Sequence, residues 1–232
     1  MKIAAISDIH GNLYALMKVL EDIDDEKVDK IICLGDLVGY GPHPNEVIAL
    51  IKRRDIPCIK GNYDASVVDG DFTYIRNTSV NSFILPWTCE ELRMSNKYFL
   101  DSLPTSLRFT FNDVNFLFTH GSPDSINEYL FEDKENTVKA MDNLTEDVLV
   151  CAHTHIPSFK KYNDKVFINV GSVGKPKIGL PSSTYCLIDI DESGNVKCKV
   201  KYVDYEFKRI VKDCTMLNFP NELVNSYVTG RE

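Results

Sequence analysis

The residues best suited to bind a metal ion are four histidines, two aspartates and one asparagine. Each of the seven follows a stretch that reads as a β-strand: Asp8, His10, Asp36, Asn62, His120, His153 and His155. A lone histidine is more often structural than a ligand, and Asp and Asn also cap turns and helices. The joint placement of all seven is harder to explain by structure alone. Carboxylate, amide and imidazole groups without thiolate suit Mn, Fe, Zn or Ni.

These residues can meet only if the preceding strands end at one edge of the fold. Ile3 to Ile6, Ile31 to Leu34 and Pro57 to Ile59 are apolar runs separated by helical patterns, the first of which Asn12 is expected to cap and the second Asn45. Alternating strands and helices predict parallel pairing. Ligands bind beyond the carboxyl ends of such strands, so we expect one site there.

The rest of the chain predicts a helical middle and a strand-rich end. Residues Thr78 to Asp101 have a helical pattern, with Pro86 as a break or kink. Six later stretches are predicted strands: Leu107–Phe111, Val114–Thr119, Val148–Ala152, Val166–Val170, Thr184–Ile190 and Val196–Val203. Glu192 to Asn195 reads as a hairpin turn. We expect a first sheet flanked by helices and a second sheet packed on it. The predicted buried strand residues are Ile3, Ile6, Ile31, Ile32, Leu34, Val148, Leu149 and Val150.

Composition limits the function classes. The chain of 232 residues has a formal charge of −8, which gives no broad basic field for extended nucleic-acid binding. Seven scattered cysteines without a CxxC spacing are expected to be reduced. The N-terminus lacks a signal-peptide pattern, and no apolar run is long enough to span a membrane. We therefore expect a single domain over residues 1–232, in the cytoplasm and without membrane contact, and leave a homo-oligomer open.

Five segments, in this order, resemble the calcineurin-like metallophosphoesterase family, in particular its small bacterial and archaeal phosphodiesterase-like branch. They are Asp8-Ile9-His10, Gly35-Asp36, Gly61-Asn62, His120-Gly121 and Ala152-His153-Thr154-His155. The stretches Gly39-Tyr40-Gly41-Pro42 and Asn169 to Gly174 are similar to that branch. The resemblance implies a four-layer α/β/β/α sandwich of two facing mixed β-sheets flanked by helices.

The resemblance also implies a metal-dependent phosphoesterase with two divalent ions, most plausibly Mn. Asp8, His10, Asp36 and His155 would hold one ion, while Asp36, Asn62, His120 and His153 would hold the other. Asp36 would bridge the two, and Asp36 and Asn62 would share in catalysis. Two such ions clamp the attacking and leaving oxygens at phosphorus, with a bridging hydroxide as nucleophile. The expected substrate is a small phosphorylated compound with a phosphodiester or phosphoanhydride bond.

One residue departs from the family. A histidine usually follows the Gly-Asn pair and protonates the leaving group, whereas this chain has Tyr63. A tyrosine has an ordinary pKa of about 10 and is a poor proton donor at neutral pH. His43, in the loop after Asp36, is a candidate replacement, with a solvent-exposed loop residue as the alternative. Asn62, Tyr63, Tyr40 and Lys175 are candidate substrate contacts, although Tyr40 could be packing and Lys175 solvated.

Alternative functions remain at this stage. The same site could hydrolyse phosphomonoesters, or the fold could be a non-catalytic binding module. The complete set of seven ligand-type residues argues against a decayed site. A dinucleotide-binding domain is excluded because the first turn, Ser7-Asp8-Ile9-His10-Gly11-Asn12, has no GxGxxG pattern.

Overall fold

The computed structural model describes residues 1–231, which form two β-sheets with helices on their outer faces. The strands are β1 (Lys2–Ile6), β2 (Lys30–Cys33), β3 (Ser106–Phe111), β4 (Val114–Thr119), β5 (Val148–Cys151), β6 (Ser158–Tyr162), β7 (Lys165–Asn169), β8 (Ser182–Ile190) and β9 (Val196–Asp204). The helices are α1 (Leu13–Glu26), α2 (Pro44–Arg53), α3 (Asn62–Asp69), α4 (Ser79–Glu91), α5 (Met94–Ser102), α6 (Glu135–Asn143), α7 (Phe207–Met216) and α8 (Asn221–Thr229).

Both sheets are mixed. The first has the order β2-β1-β8-β9, with β1 parallel to β2 and antiparallel to β8. The second has the order β3-β4-β5-β7-β6, with β4, β5 and β7 mutually parallel. The parallel strands β1 and β2 therefore end at one edge of the first sheet, and β4 and β5 do so in the second. These strands precede six of the seven candidate ligands.

The two sheets face each other across an apolar core. Ile3, Ala5 and Ile32 of the first sheet belong to the same buried cluster as Phe116 and Val150 of the second. Because strand side chains alternate, Ala4 and Ile6 point to the opposite face, where they join the buried side chains of α1, α2, α4, α7 and α8. Met141 of α6 packs on Leu149 and Phe167 at the outer face of the second sheet. This arrangement confirms the predicted four-layer α/β/β/α sandwich of two facing mixed sheets.

Several predicted elements are confirmed with small shifts at their ends. Asn12 caps α1 as expected, since its Oδ1 accepts from the N–H of Ala15 at 3.1 Å. All seven cysteines are free, and five of them are buried. Seven of the eight predicted core residues are buried, while Ile31 is only half-buried. Among the helices of residues 1–231, none has the length and apolar character needed to cross a membrane.

Three predictions about elements are wrong. Pro57 to Ile59 makes only an isolated bridge between Cys58 and Cys33, because Pro57 lacks an N–H and the segment is too short for a ladder. Pro86 lies inside α4, so the predicted break is not at Pro86 but after Glu91, while a kink at Pro86 stays a prediction. Asn45 does not cap α2, whose cap position is His43. Asn45 instead stabilises the break after α4, because its Oδ1 accepts from the N–H of Arg93 and its Nδ2 donates to Glu91 O.

Candidate metal centre

The seven candidate ligands meet in one buried cluster between the ends of the two sheets; we call these seven residues the ligand cluster. All have 5% or less of their surface exposed. Five of them are non-glycine residues in the left-handed region, a costly conformation that other contacts must hold in place: Asp8 (φ 51°), His10 (φ 48°), Asp36 (φ 52°), His153 (φ 66°) and His155 (φ 60°).

Backbone hydrogen bonds between neighbouring loops hold this conformation. The N–H of Asp8 donates to Gly35 O at 3.0 Å, and the N–H of His10 donates to Asp36 O at 2.9 Å. Gly61 is required at the third corner, because a Cβ there would lie 2.1 Å from Asp36 Oδ1. The loops after β1 and β2 and before α3 are therefore packed backbone to backbone.

Asp8, His10 and His155 form a first group of potential ligands. Asp8 Oδ1 lies 3.1 Å from His155 Nε2 and 3.5 Å from His10 Nε2. The two Nε2 atoms are 3.3 Å apart. These three atoms lie close enough together to bind one metal ion.

Asp36, His120 and His153 form a second group. Asp36 Oδ2 lies 3.4 Å from His120 Nε2, and it is also 3.6 Å from His10 Nε2 of the first group. Asn62 Oδ1 joins the second group at 2.9 Å from His120 Nε2. Asp36 Oδ2 thus lies between the two groups, as expected of a bridging ligand.

Hydrogen bonds on the side away from the cluster centre orient three of the histidine rings, because each of these rings bonds a backbone carbonyl through Nδ1. These bonds are His10 to Val38 O at 2.9 Å, His120 to Leu34 O at 2.7 Å and His155 to Lys175 O at 2.5 Å. A metal-bound histidine commonly donates its other N–H in this way. The Nε2 lone pair of each ring then faces the cluster centre. His153 differs, because its Nε2 bonds Asn127 O at 3.1 Å and leaves Nδ1 for a metal.

In this orientation, hydrogen-bond acceptor atoms of neighbouring side chains face one another. When Nδ1 carries the only ring proton, as a metal ligand requires, the Nε2 lone pairs of His10 and His155 face each other, and that of His120 faces Asn62 Oδ1. Asp8 Oδ1 and Asp36 Oδ2 are buried acceptors without a hydrogen-bond partner. Such arrangements are costly unless a cation lies between the atoms. The donor set therefore fits two divalent cations.

Burial and mutual charge interactions strongly shift the pKa values of residues in the ligand cluster. Burial opposes the charge of Asp8, but the nearby His155 and His120 hold the pKa of Asp8 well below its ordinary value. Burial and repulsion by His120 lower the pKa of His153 to about 3. Burial also lowers the pKa of His155 to about 4. Burial disfavours protonated His120, but Asp36 and Asp8 outweigh it and raise the pKa of His120 to about 10.

A cavity of about 350 Å³ opens over the ligand cluster. Asp36, Asn62, His153 and His155 line its inner side, and the predicted substrate contacts Tyr40, Tyr63 and Lys175 line it as well. Its outer wall is formed by side chains from residues 73–81 together with Glu222, Leu223 and Ser226 of α8. We use the term outer wall for these residues.

Tyr63 occupies the cavity but is not a proton donor at neutral pH. Burial, together with the adjacent Tyr40 hydroxyl, raises the pKa of Tyr63 well above its ordinary value. Its hydroxyl is hydrogen bonded to that of Tyr40 and donates to Asn81 Oδ1 at 2.8 Å. Gly39, with a φ of 84°, leaves room for the ring, since a Cβ there would lie 2.4 Å from Tyr63 Cδ1.

The structure does not bring His43 to the ligand cluster, so the hypothesis that it hangs over the site needs correction. His43 is absent from the residues that line the cavity. Its Nε2 bonds Asp213 Oδ2 of α7 at 2.9 Å, and its ring packs edge-on against Tyr14. The loop after β2 turns His43 toward the outer helices, because its backbone begins α2.

Sequence reasoning missed the outer wall and two residues beside it. Arg76, Tyr129 and Asn127 line the cavity, and Tyr129 stacks on His153 with ring centroids 4.1 Å apart. Asp64, two residues after Asn62, was given no role from the sequence, although its carboxylate accepts from the N–H groups of Leu37 and Gly61, both at 2.9 Å. The outer wall, Asn127 and Tyr129 belong to no strand-end motif, and only contacts across the fold reveal them.

Comparison with known proteins gives the family. Residues 1–193 match the family model of the calcineurin-like phosphoesterase superfamily domain. The chain is 34% identical to a Methanocaldococcus jannaschii protein named uncharacterized protein MJ0912, over 99% of this chain and 98% of that one. It is 29% identical to the phosphodiesterase YfcE of Escherichia coli K12, over 82% of this chain and 89% of that one.

A solved structure gives the same result. A metallophosphoesterase from Sphaerobacter thermophilus superposes with a TM-score of 0.82 at 25% identity, with 99% of each chain covered. The chain therefore belongs to the calcineurin-like phosphoesterase superfamily. Like its family, it is a metal-dependent phosphoesterase.

Proposed function

We propose that this protein hydrolyses phosphodiester or phosphoanhydride bonds of small phosphorylated compounds, with two divalent ions held by the ligand cluster. The observation that carries the proposal is the position of Asp36 Oδ2, between His10 Nε2 at 3.6 Å and His120 Nε2 at 3.4 Å. A carboxylate oxygen between two histidine groups suits a bridge between two cations. When bound, such cations polarise phosphoryl oxygens and lower the pKa of water.

The side chains around the ligand cluster bind and orient the substrate. Asp8, His10, Asp36 and His155 would hold one ion, and Asp36, Asn62, His120 and His153 the other. Lys175 is buried in the cavity lining, and its ammonium lies 4.6 Å from the centre of the Tyr40 ring. There it binds a phosphoryl oxygen, while the Tyr63 side chain lines the cavity beside it. The donor set of oxygen and imidazole ligands favours Mn, with Fe, Zn or Ni as alternatives.

The bond specificity follows from the missing acid. Tyr63 stands where the family has a histidine, and its raised pKa keeps it protonated. A leaving group that needs little protonation is then favoured, as in aryl phosphodiesters and nucleotide anhydrides, whereas alkyl monoesters are slow substrates. The name of the related YfcE as a phosphodiesterase points in the same direction.

We also propose that residues 1–232 act as one domain. The family model ends at residue 193, but Ile210 and Cys214 of α7 and Leu223 of α8 belong to the core cluster that includes Ile6. The two terminal helices thus share the core of the preceding region.

A substrate panel tests the proposed function. Mn-loaded protein is assayed with bis-p-nitrophenyl phosphate, p-nitrophenyl phosphate, cyclic nucleotides and dinucleoside polyphosphates, and its metal content is measured by mass spectrometry. We expect about two metal ions per chain and turnover of diesters or anhydrides ahead of monoesters. Chelation should abolish activity and added Mn should restore it. Faster turnover of alkyl monoesters than of aryl diesters would contradict the bond specificity.

A further inference from the structure

A positive charge stands beside each half of the ligand cluster. On one side, the ring of Tyr129 lies 4.1 Å from that of His153, and the guanidinium of Arg76 lies 4.8 Å above the Tyr129 ring. On the other side, Tyr40 lies 4.8 Å from His10 and carries the Lys175 ammonium. Cations over tyrosine rings are attracted by the ring electrons. Each ligand group thus has a histidine in contact with a tyrosine ring, and that ring in turn is in contact with a cationic side chain.

The two cations differ in their setting. Lys175 is buried, and its carbonyl accepts the hydrogen bond that orients His155, so it is fixed close to the reacting phosphoryl group. Arg76 is exposed on the outer wall and reaches the cavity from the side of the second ligand group. A single phosphoryl group at the metal ions would engage Lys175 and leave Arg76 for another part of the substrate.

Hydrogen bonds to the site set the backbone position of Arg76. Its carbonyl accepts from Asn81 Nδ2 at 2.9 Å, and Asn81 Oδ1 accepts from the Tyr63 hydroxyl at 2.8 Å. Two residues earlier, the carbonyl of Tyr74 accepts from Nδ2 of Asn62 at 3.3 Å. The segment that carries Arg76 is therefore connected both to a candidate metal ligand and to the residue that replaces the family histidine.

We propose that Arg76 forms a second anion-binding subsite, so that the preferred substrate carries another anionic group, such as a phosphate, besides the phosphoester that reacts. This inference rests on the proposed function. A guanidinium matches phosphate geometry with two parallel hydrogen bonds. The cavity of about 350 Å³ has room for a small molecule with two such groups.

A matched set of three chromogenic substrates tests the subsite. The parent is the p-nitrophenyl ester of thymidine 5′-phosphate, and its partners carry a 3′-phosphate or 3′-diphosphate in addition. We expect the wild type to prefer a 3′-phosphorylated partner by about 10-fold or more in kcat/KM, the range of a charge-assisted hydrogen bond. Arg76→Gln should bring this ratio close to one. The control is Arg209→Gln, because Arg209 also lies over a tyrosine, at 4.2 Å from Tyr14, but outside the cavity lining.

Binding measurements separate this inference from the proposed function. Calorimetry should show thymidine 3′,5′-bisphosphate binding more tightly than thymidine 5′-phosphate to the wild type and to Arg209→Gln, but not to Arg76→Gln. Equal affinities in the wild type, or a preference that survives in Arg76→Gln, would overturn the subsite. Absence of any hydrolysis by Mn-loaded wild type would instead overturn the proposed function, and the binding comparison would still decide the inference.

Discussion

The ligand cluster and the outer wall enclose the same cavity but are built differently. The ligand cluster is buried and lies in strand-end loops whose backbones bond one another, with five residues in the left-handed region. The outer wall comes from a segment with exposed residues such as Arg76 and Tyr74, and from α8, which lies beyond the family model. The first region is held in place by these backbone bonds, and the second presents exposed side chains at the opening of the cavity.

Asp36→Asn should have the largest effect if the ligand cluster carries the chemistry. The carboxylate oxygen between His10 and His120 would become part of a neutral amide, which weakens both metal positions. Metal catalysis contributes several kcal/mol, so we expect a loss on the order of 10³-fold or more in kcat. Activity on bis-p-nitrophenyl phosphate and metal content by mass spectrometry check this.

A matched control is Asp101→Asn, which changes an exposed aspartate whose carboxylate lies 3.6 Å from the Lys60 ammonium. It should retain both metal and activity. If Asp36→Asn kept two metal ions and normal turnover, the assignment of the ligand cluster would be wrong.

Ile6→Ala should destabilise the packing of β1, the strand that leads into the ligand cluster. Ile6 is fully buried at the end of β1, two residues before Asp8. Loss of its side chain leaves a cavity, which costs about 2–5 kcal/mol of unfolding free energy. Urea denaturation measures the change. Met17→Ala on α1, where the side chain is 54% exposed, should change stability by less than about 0.5 kcal/mol. Similar values for both variants would contradict the described core.

The ligand cluster could be predicted from sequence because its signals are local. Asp8, His10 and Asp36 follow short apolar runs, and the carboxyl ends of parallel strands bring such residues together. Pro57 to Ile59 does not form the predicted strand, but Asn62 is still placed at the site. The reason is that the single bridge between Cys58 and Cys33 brings this segment alongside the end of β2. Here the position of the motif was right although the element was wrong.

The outer wall could not be predicted because its residues meet through tertiary contacts alone. Arg76 and Tyr129 are far apart in sequence and lie in irregular segments without periodicity. The direction of His43 depended on Asp213, which is 170 residues away. Even α3, which starts at the candidate ligand Asn62, was not expected, since a short helix of eight residues gives little apolar pattern.

Tyr63→Phe tests the connection between the two regions. Loss of the hydroxyl removes the hydrogen bond to Asn81, which in turn holds the carbonyl of Arg76. We expect the preference for the 3′-phosphorylated substrate to fall by about 3- to 10-fold, the value of one hydrogen bond, with metal content unchanged. Tyr185→Phe is the control, because the Tyr185 hydroxyl donates to Asp22 at 2.6 Å, outside the cavity lining. An unchanged preference in Tyr63→Phe would mean that the two regions act independently.

His43→Ala should have the smallest effect on catalysis. Its Nε2 bonds Asp213 at 2.9 Å and its ring packs on Tyr14, so it is turned away from the ligand cluster. A general acid would make a loss concentrated on poor leaving groups, on the order of 10²-fold. We expect instead equal changes of less than about 3-fold on a p-nitrophenyl diester and on an alkyl diester. The His43–Asp213 pair, whose side chains are 24% and 25% exposed, contributes only to stability, by about 1 kcal/mol or less. The comparison is made on kcat/KM for the two substrates with Mn-loaded protein. Asp213→Asn should reproduce the same small, uniform effect, since it weakens the same contact from α7 by removing its charge. A selective loss on the alkyl diester in His43→Ala, absent in Asp213→Asn, would show that His43 reaches the leaving group during turnover. His43 would then belong to the catalytic site, contrary to its position beside Asp213 in the structure.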